Sequence, residues 1–532
     1  MQDHDKSSCT ADKLGPEALL ICSSRTSRRM WAVFALSALL LGAGVSANWR
    51  IQSDSALYLG IARSLAAGEG YTFSGDPQSS IPPGAPLLYS IVWRAAGTPN
   101  APEGIERLSL WFNALTALVA LGGVVAAYFL VREMAGETAA FFAAGLLAVS
   151  ERYYGPAMAP LTDTLYCLLS WVALFAFVRA RRTNGPALVA AASLLIVLAP
   201  LGRAVGIALV AALAVQVVWE ARRHMPSGHD LVLVLPGLAA SAAFIFVIVS
   251  GRGGVDFNYW DDLVAGRGAG ALLWRFGSHL WTLPSNVFKS VVGLESIAGL
   301  SLVFSGWLVW GALGAWRRGA RTAVIYVCIY FLWVALGEEV RPRYVAPMLP
   351  FIYLFIFEAA RLTIARFELR SAAAGLRARR VLHVLLVLTI AANLVYIGSR
   401  IHTNHSRDFL QAYRRGRWID YADLGKYLAQ APPEGRVLVL QHRILHMLSG
   451  ALTTPLPYHP DAPHRPSQEE MAQYIEKRYV SAIVTDGNDQ ESLQILTSFI
   501  ESSQYEWQRE AEFGRLVLHR RHLNAQKETH QP

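Results

Sequence analysis

Charge is scarce in this chain: 16% of its 532 residues are Asp, Glu, Lys or Arg, against 53% hydrophobic. That balance is far too apolar for a soluble globular protein of this length. Cysteine is scarcer still. Cys9 and Cys22 lie near the N-terminus, and Cys167 and Cys328 lie inside apolar runs, so neither a disulfide framework nor a zinc spacing can be built from them. No P-loop, no GxSxG and no dinucleotide fingerprint stands in a supporting context. His442 and His446 have helical i, i+4 spacing but lack the glutamate of a zincin motif and a third ligand, and they read as surface or core residues. Internal repeats and low-complexity tracts are also absent. The formal net charge of +9 would suit nucleic acid, but the arginines flank apolar runs instead of forming one basic face with interleaved aromatics. No nucleic-acid partner is expected.

What the chain has in abundance is apolar runs of roughly 15 to 23 residues, the length of a helix that crosses a bilayer. Residues 1 to about 24 read as a disordered cytoplasmic tail. Arg25, Arg28 and Arg29 then precede the run Met30 to Ala47, holding that end in the cytoplasm. Val45-Ser46-Ala47 is like a signal-peptidase site, yet the long n-region and the later spans favour a retained anchor. Further spans fit at 108–131, 138–153, 164–180, 186–200, 203–219, 231–250, 297–316, 321–337, 343–364 and 381–397, about eleven in all. The run Ala85 to Trp93 is too short to cross and follows Pro82 and Pro83, which suits a rigid loop and an interfacial helix.

Threading the spans alternately puts Arg132, then Arg179, Arg181 and Arg182, then Arg222 and Arg223, then Arg317, Arg318 and Arg321, then Arg366, Arg370, Arg377, Arg379 and Arg380 inside, as the positive-inside rule requires. Asp54, Asp163, Arg203, the segment 251–297, the turn Gly337 to Tyr344 and everything after Arg400 then fall on the outer face. The fold expected is a polytopic α-helical membrane domain over residues 25–400, followed by a small extracytoplasmic α/β domain over 405–532. Strand-like runs at 436–442, 481–487 and 515–521 and a helical pattern from Gln468 to Tyr479 mark the latter.

The stretch IQSDSALYLGIARSLAAGEGY, 51–71, organises the outer face. Coiled from Ser53 to Ala67, it sets Asp54, Tyr58, Ile61 and Leu65 on one side, with Gly68 and Gly70 able to end it. Burial there would raise the Asp54 pKa from about 3.9 toward values at which a carboxylate takes a proton at neutral pH. Ser53 or Asp54 could equally cap the helix. Asp163 opens another span as a cap or dipole partner, and Arg203 opens a third against the helix dipole, so it needs a partner such as Asp163 or a bound phosphate. Arg341 and Arg343 flank Pro342 beside Tyr344; Glu338 and Glu339 could neutralise them, and a pair of planar guanidinium groups equally suits a lipid-linked phosphate. In the outer segment, Asp261 and Asp262 follow Trp260, and His279 and Lys289 come later. An adjacent acid pair alone does not supply the several oxygens of a hard-cation site, so no cofactor is expected and a divalent metal has only Asp261 and Asp262 as candidates.

Asp54, Tyr58, Ala62 and Arg63, the PPGAPLL loop, the LTDTLY span start and RYVAPMLP from Arg343 together resemble the GT-C superfamily of polytopic glycosyltransferases. The likeness is to the bacterial relatives of protein O-mannosyltransferases and of the aminoarabinose transferase ArnT, and it covers residues 31 to 400. It implies a bundle fold in a bacterial plasma membrane, a polyprenyl-phosphate-sugar donor arriving from the bilayer, and an outer acceptor that is a lipid, glycan or protein of the cell envelope. By resemblance Asp54 is the catalytic base and Asp163 a secondary acid. Arg203, Arg341, Arg343 and Tyr344 would hold the donor phosphate, with Tyr58, Arg63, His279 and Lys289 as further substrate-site candidates. Ser55 follows Asp54 where many O-mannosyltransferases carry an Asp-Glu pair, which counts against mannosyl transfer to protein. A transporter or lipid flippase is the alternative, since it too places acids and arginines within a bundle; paired repeats and broken helices, its usual marks, are not found.

Overall fold

The structure is a computed structural model, and it describes residues 16–79, 81–222, 228–249, 269–293, 298–337, 341–457, 466–503 and 505–522. The first helix, α1 (Pro16–Gly44), begins within the stretch expected to be a disordered tail. Its opening sequence PEALL explains the difference: Pro suits a first helical position and Ala and Leu are strong helix formers. The chain then forms α2 (Ser53–Ala67), a two-strand hairpin of β1 (Thr72–Phe73) and β2 (Asp76–Pro77), and α3 (Gly84–Ala95). Gly68 ends α2 at φ 81°, a left-handed conformation, and its N–H returns to the last turn.

The bundle follows as α4 (Ala101–Ala135), α5 (Glu137–Ala148), α6 (Glu151–Ala157), α7 (Thr162–Thr183), α8 (Pro186–Gly202), α9 (Gly206–Ala221), α10 (Gly228–Val249), α11 (Ala269–Val292), α12 (Ala298–Arg317), α13 (Arg321–Leu336), α14 (Leu349–Glu368) and α15 (Ala372–Asn404). A 3-10 turn, Pro342–Met348, leads into α14. Among the described residues six helices are long and apolar enough to cross a membrane, and four more are apolar but shorter. The chain is a multi-pass membrane protein. On α15, Val381, Val384, Leu385, Val387, Leu388 and Val395 are all exposed, a stripe that water would penalise and acyl chains accept. Inside, Ala139, Ala140, Ala143 and Ala144 of α5 are buried, and such small side chains let neighbouring helices approach closely.

Two expectations about the spans change. The run 138–153 breaks after Ala148, because Glu151 and Arg152 cannot continue an apolar helix through lipid: buried Glu151 binds Arg400, with Arg400 Nε 2.7 Å away, and its backbone N–H donates to Asn393 Oδ1 at 2.9 Å. The outer segment holds a helix, α11, that the apolar-run criterion passed over. Asp261, Asp262, Glu338 and Glu339 lie outside the described residues.

Arginines expected on the cytoplasmic side gather at one end of the bundle. Arg179 and Arg182 pair with Glu133 of α4, while Arg181 reaches Glu220 of α9 at 2.5 Å and Asp230 of α10 at 2.7 Å. At the opposite end sits the C-terminal region. It comprises α16 (Ile419–Gln430), β3 (Arg436–Leu438), α17 (His442–Ser449), β4 (Thr453–Thr454), α18 (Gln468–Lys477), β5 (Val480–Asp486), α19 (Gln490–Ser502), β6 (Glu506–Phe513) and β7 (Leu516–His522). The sheet order is β4-β3-β5-β7-β6, parallel among the first three and antiparallel in the β5-β7-β6 hairpin side. The expected strand 436–442 is shorter because α17 takes over at His442, and β6 is an unanticipated edge strand whose sequence EWQREAEF reads as solvent-facing.

This region packs directly on α2. Trp49, Ala56 and Leu59 share a buried cluster with Trp418, Val437, Leu445 and Met447. Arg436 binds Asp76 of the β1-β2 hairpin at 3.1 and 3.2 Å and the Ser74 carbonyl at 2.9 Å, and Arg478 joins the same carboxylate at 3.1 Å. His442 and His446 are therefore core residues. Burial pushes the His446 imidazole down to about 4, and its ring lies 4.9 Å from that of Phe73 in an edge-on contact.

Candidate active site

Four segments distant in sequence meet at the end of the bundle nearest the C-terminal region. They are the first turn of α2, the first turn of α7, the α8-α9 junction and the 3-10 turn before α14. Gln52, in extended conformation, stands at the cap position of α2 and makes no side-chain cap bond. Neither Ser53 nor Asp54 is spent on capping. Asp54 instead accepts a hydrogen bond from Arg343 Nη2 at 2.7 Å.

Asp163 is buried in the first turn of α7 and forms an ion pair with Arg203. Arg203 follows α8 directly as its extended C-terminal cap (φ −165°, ψ 141°), and α9 begins only at Gly206. The cation therefore meets the negative end of the α8 dipole as well as the positive end of α9, a correction to the expectation that it opposes a single dipole. Tyr344 joins the two ion pairs. Its ring has the Arg203 guanidinium at 5.1 Å and the Arg343 guanidinium at 5.5 Å, both within cation–π range. The Tyr58 hydroxyl is near enough to Arg203 to interact with its charge.

The electrostatics of Asp54 run opposite to the expectation from burial alone. Burial is the largest influence and pushes the carboxyl up, but Arg343, Arg443 and Arg203 together outweigh it and hold the group below its ordinary value. Asp54 is thus an ionised acceptor at neutral pH. Arg443, on α17, was not singled out from sequence: nothing in RILHM marks it until the packing of α17 on α2 brings it there.

The remaining candidates divide. Arg341 is exposed at the head of the 3-10 turn. Arg63 donates from Nε to the Pro99 carbonyl at 3.1 Å and so fastens α2 to the loop before α4. His279 Nδ1 bonds the Ala335 carbonyl at 3.1 Å, tying α11 to α13. Lys289 stands half-buried in the last turn of α11. Among the described residues no group of three or more His, Cys, Asp or Glu could hold a metal ion.

No protein-family model and no curated protein matches the chain. Solved structures do. ArnT from Cupriavidus metallidurans bound to undecaprenyl phosphate superposes with a TM-score of 0.58 at 15% identity, covering 92% of this chain and 97% of that one. The archaeal oligosaccharyltransferase AglB from Archaeoglobus fulgidus, in complex with an inhibitory peptide and a dolichol-phosphate, superposes with a TM-score of 0.55 at 13% identity, covering 86% and 69%. Over nearly its whole length this chain shares the fold of ArnT, and over most of it that of AglB.

Proposed function

We propose that the chain is a membrane glycosyltransferase that moves a sugar from a polyprenyl-phosphate-linked donor to an extracytoplasmic acceptor. The observation that carries this reading is the Asp54–Arg343 pair, a base and a phosphate-binding group held together at the junction of four segments. In the reaction, an acceptor hydroxyl attacks the anomeric carbon and its proton passes to the Asp54 carboxylate. The bond from that carbon to the phosphate oxygen breaks, and its electron pair leaves with the polyprenyl phosphate. Arginines suffice to stabilise that leaving group, so the second carboxylic acid of ordinary glycoside hydrolysis is not required.

The pairing couples the two halves of the chemistry. Without donor, Arg343 neutralises Asp54 and keeps it a weak base. A donor phosphate that takes up the Arg343 fork loosens this hold, so the carboxylate becomes more basic when there is a sugar to transfer. Arg203, fixed by Asp163, and Tyr344 complete the phosphate side. ArnT and AglB, whose structures contain undecaprenyl phosphate and dolichol-phosphate, lend the lipid-phosphate donor its support.

The test compares lipid and glycan extracts from cells carrying the parent gene, Asp54→Asn or no gene, by mass spectrometry. Asn keeps the size of Asp but cannot accept the proton, so the variant should insert normally and lose about 10²-fold or more in transfer. A sugar addition that persists at the parent level in Asp54→Asn removes the base from the scheme.

A further inference from the structure

Beside the Asp54–Arg343 pair lies a cavity of about 510 Å³ whose wall is unusually cationic. Arg50, Arg152, Arg343, Arg400 and Arg414 line it, against the single carboxylate of Glu151. Glu151 is occupied by Arg400 and by Arg152, whose Nε is 3.2 Å away, and Arg343 is occupied by Asp54. Arg50 and Arg414 remain, and both guanidinium groups stand over the Tyr413 ring at 5.6 Å.

Arg50 is the telling residue. It is only 6% exposed, it lines the cavity, and its Nε is buried with no hydrogen-bond partner among the described residues; the rest of the guanidinium reaches the Gly155 carbonyl, 3.3 Å from Nη1, and the Tyr413 hydroxyl. A buried guanidinium with an unused donor is costly unless something supplies the missing acceptor. Burial, with Arg400 and Arg414 nearby, works against its charge, and an anion would relieve that. Arg414 is held at φ 52° and Arg415 at φ 56° ahead of Gly416 at φ 74°, left-handed conformations that disfavour side chains yet bring Arg414 to the cavity.

We infer that this cavity receives a phosphate or carboxylate group of the acceptor, and that the acceptor is therefore acidic. The inference rests on the proposed transferase reading and names its second substrate class. The donor's lipid phosphate fits less well here, because Gln52, Ser399, Thr403, Asn404 and the charged groups outnumber the apolar lining of Pro156, Leu161 and Ala412, a poor trough for a polyprenyl chain. An acidic group bound by Arg50 and Arg414 would hold the acceptor next to Arg343, and so deliver a neighbouring hydroxyl to Asp54.

Thermal unfolding of the purified full chain in detergent, titrated with inorganic phosphate against chloride at matched ionic strength, tests this without any sugar transfer. The parent and Asp54→Asn should both show a saturable rise in unfolding temperature, so a failed base assignment leaves this result intact. Arg50→Gln and Arg414→Ala should each weaken phosphate about tenfold or more, the loss of a hydrogen bond to a charged group. Arg203→Gln disables the separate donor-phosphate site, so the component of the shift that Arg50→Gln abolishes should remain in it. Arg414 is exposed, so its variant reads the site even if Arg50→Gln folds poorly. Glucose 1-phosphate and a short-chain phosphatidic acid, titrated in the same way, tell a soluble acceptor from a lipid one, whichever binds in an Arg50-dependent manner. No saturable shift in the parent, or a shift lost in Arg203→Gln and kept in Arg50→Gln, overturns the inference.

Discussion

Arg343→Gln isolates the interaction on which the proposed chemistry depends. The substitution removes the guanidinium 2.7 Å from Asp54 Oδ2. Two unit charges about 4 Å apart attract by about 4 kcal/mol at an effective dielectric of 20. The Asp54 side chain is 35% exposed and that of Arg343 19%, so solvent screening reduces the figure to about 1–2 kcal/mol. At about 1.4 kcal/mol per pKa unit, the carboxyl should rise by about one unit. The direction follows from the parent's state. Its Asp54 is held below the ordinary value, so base-dependent rate is present above that low pKa and is lost as pH falls through it. Without Arg343 the carboxyl protonates sooner, and the acid limb of kcat/KM moves to higher pH by about one unit. Arg343→Lys keeps the charge and should leave the limb near its parent position, while raising the donor KM because the planar fork is gone. The assay is the pH profile of transfer by purified parent and variants. A parent acid limb already near neutrality, or a limb that does not move in Arg343→Gln, would refute the argument that the arginine, not burial, sets this carboxyl.

Arg203→Lys, which retains charge but not the fork that faces Asp163 and Tyr344, should weaken donor binding with normal insertion, measured as a donor KM raised at unchanged protein yield. His446 supplies a pH effect away from the site: folded, it takes a proton only at about 4, against 6.5 when unfolded, so the unfolded state binds more protons between these values. Stability should therefore fall by up to about 3 kcal/mol as pH drops from 6.5 to 4, and a His446→Gln variant should show a flatter thermal-unfolding profile over that window. A Cβ on Gly84 would come within 2.9 Å of the Leu201 carbonyl oxygen and 3.0 Å of Gly202 Cα, so Gly84→Ala should cost about 1–3 kcal/mol by overpacking, read by thermal unfolding. A reporter active only outside the cytoplasm, fused after Pro532, should be active; a stable but inactive fusion would reverse the threading derived from the arginine clusters.

The bundle was legible because a bilayer imposes one rule, internal satisfaction of every backbone group, and long apolar runs can obey it only as helices. Most expected spans land on helices, although 138–153 breaks after Ala148 and 343–348 is a 3-10 turn, and α2 runs from Ser53 to Ala67 and stops at Gly68 as its residues indicate. The other errors fall where that rule is silent. α11 mixes Trp and Leu with Arg275, Ser278 and His279, so its apolar stripe is too interrupted for a hydropathy window. β6 is charged because an edge strand shows most of its side chains to water, and its place is set by pairing with β7 rather than by its own composition.

At the site, the individual residues could be named but not their partners, and the partners decide the chemistry. Asp54, Asp163, Arg203, Arg343 and Tyr344 each stood out as polar groups at helix ends beside a membrane. Burial alone then pointed to a raised Asp54 pKa. Pairing is a tertiary fact: Arg343 is 289 residues from Asp54, and Arg443 arrives only because α17 packs against α2. One consequence separates the two ion pairs. Asp163 is 4% exposed and Arg203 19%, so theirs is a largely dry pair whose breakage would leave a buried charge. Asp54 is far more open, and its pair can exchange partners with an arriving phosphate at small desolvation cost. In the proposed reaction the buried pair is thus suited to hold the phosphate side in place, and the open one to move a proton.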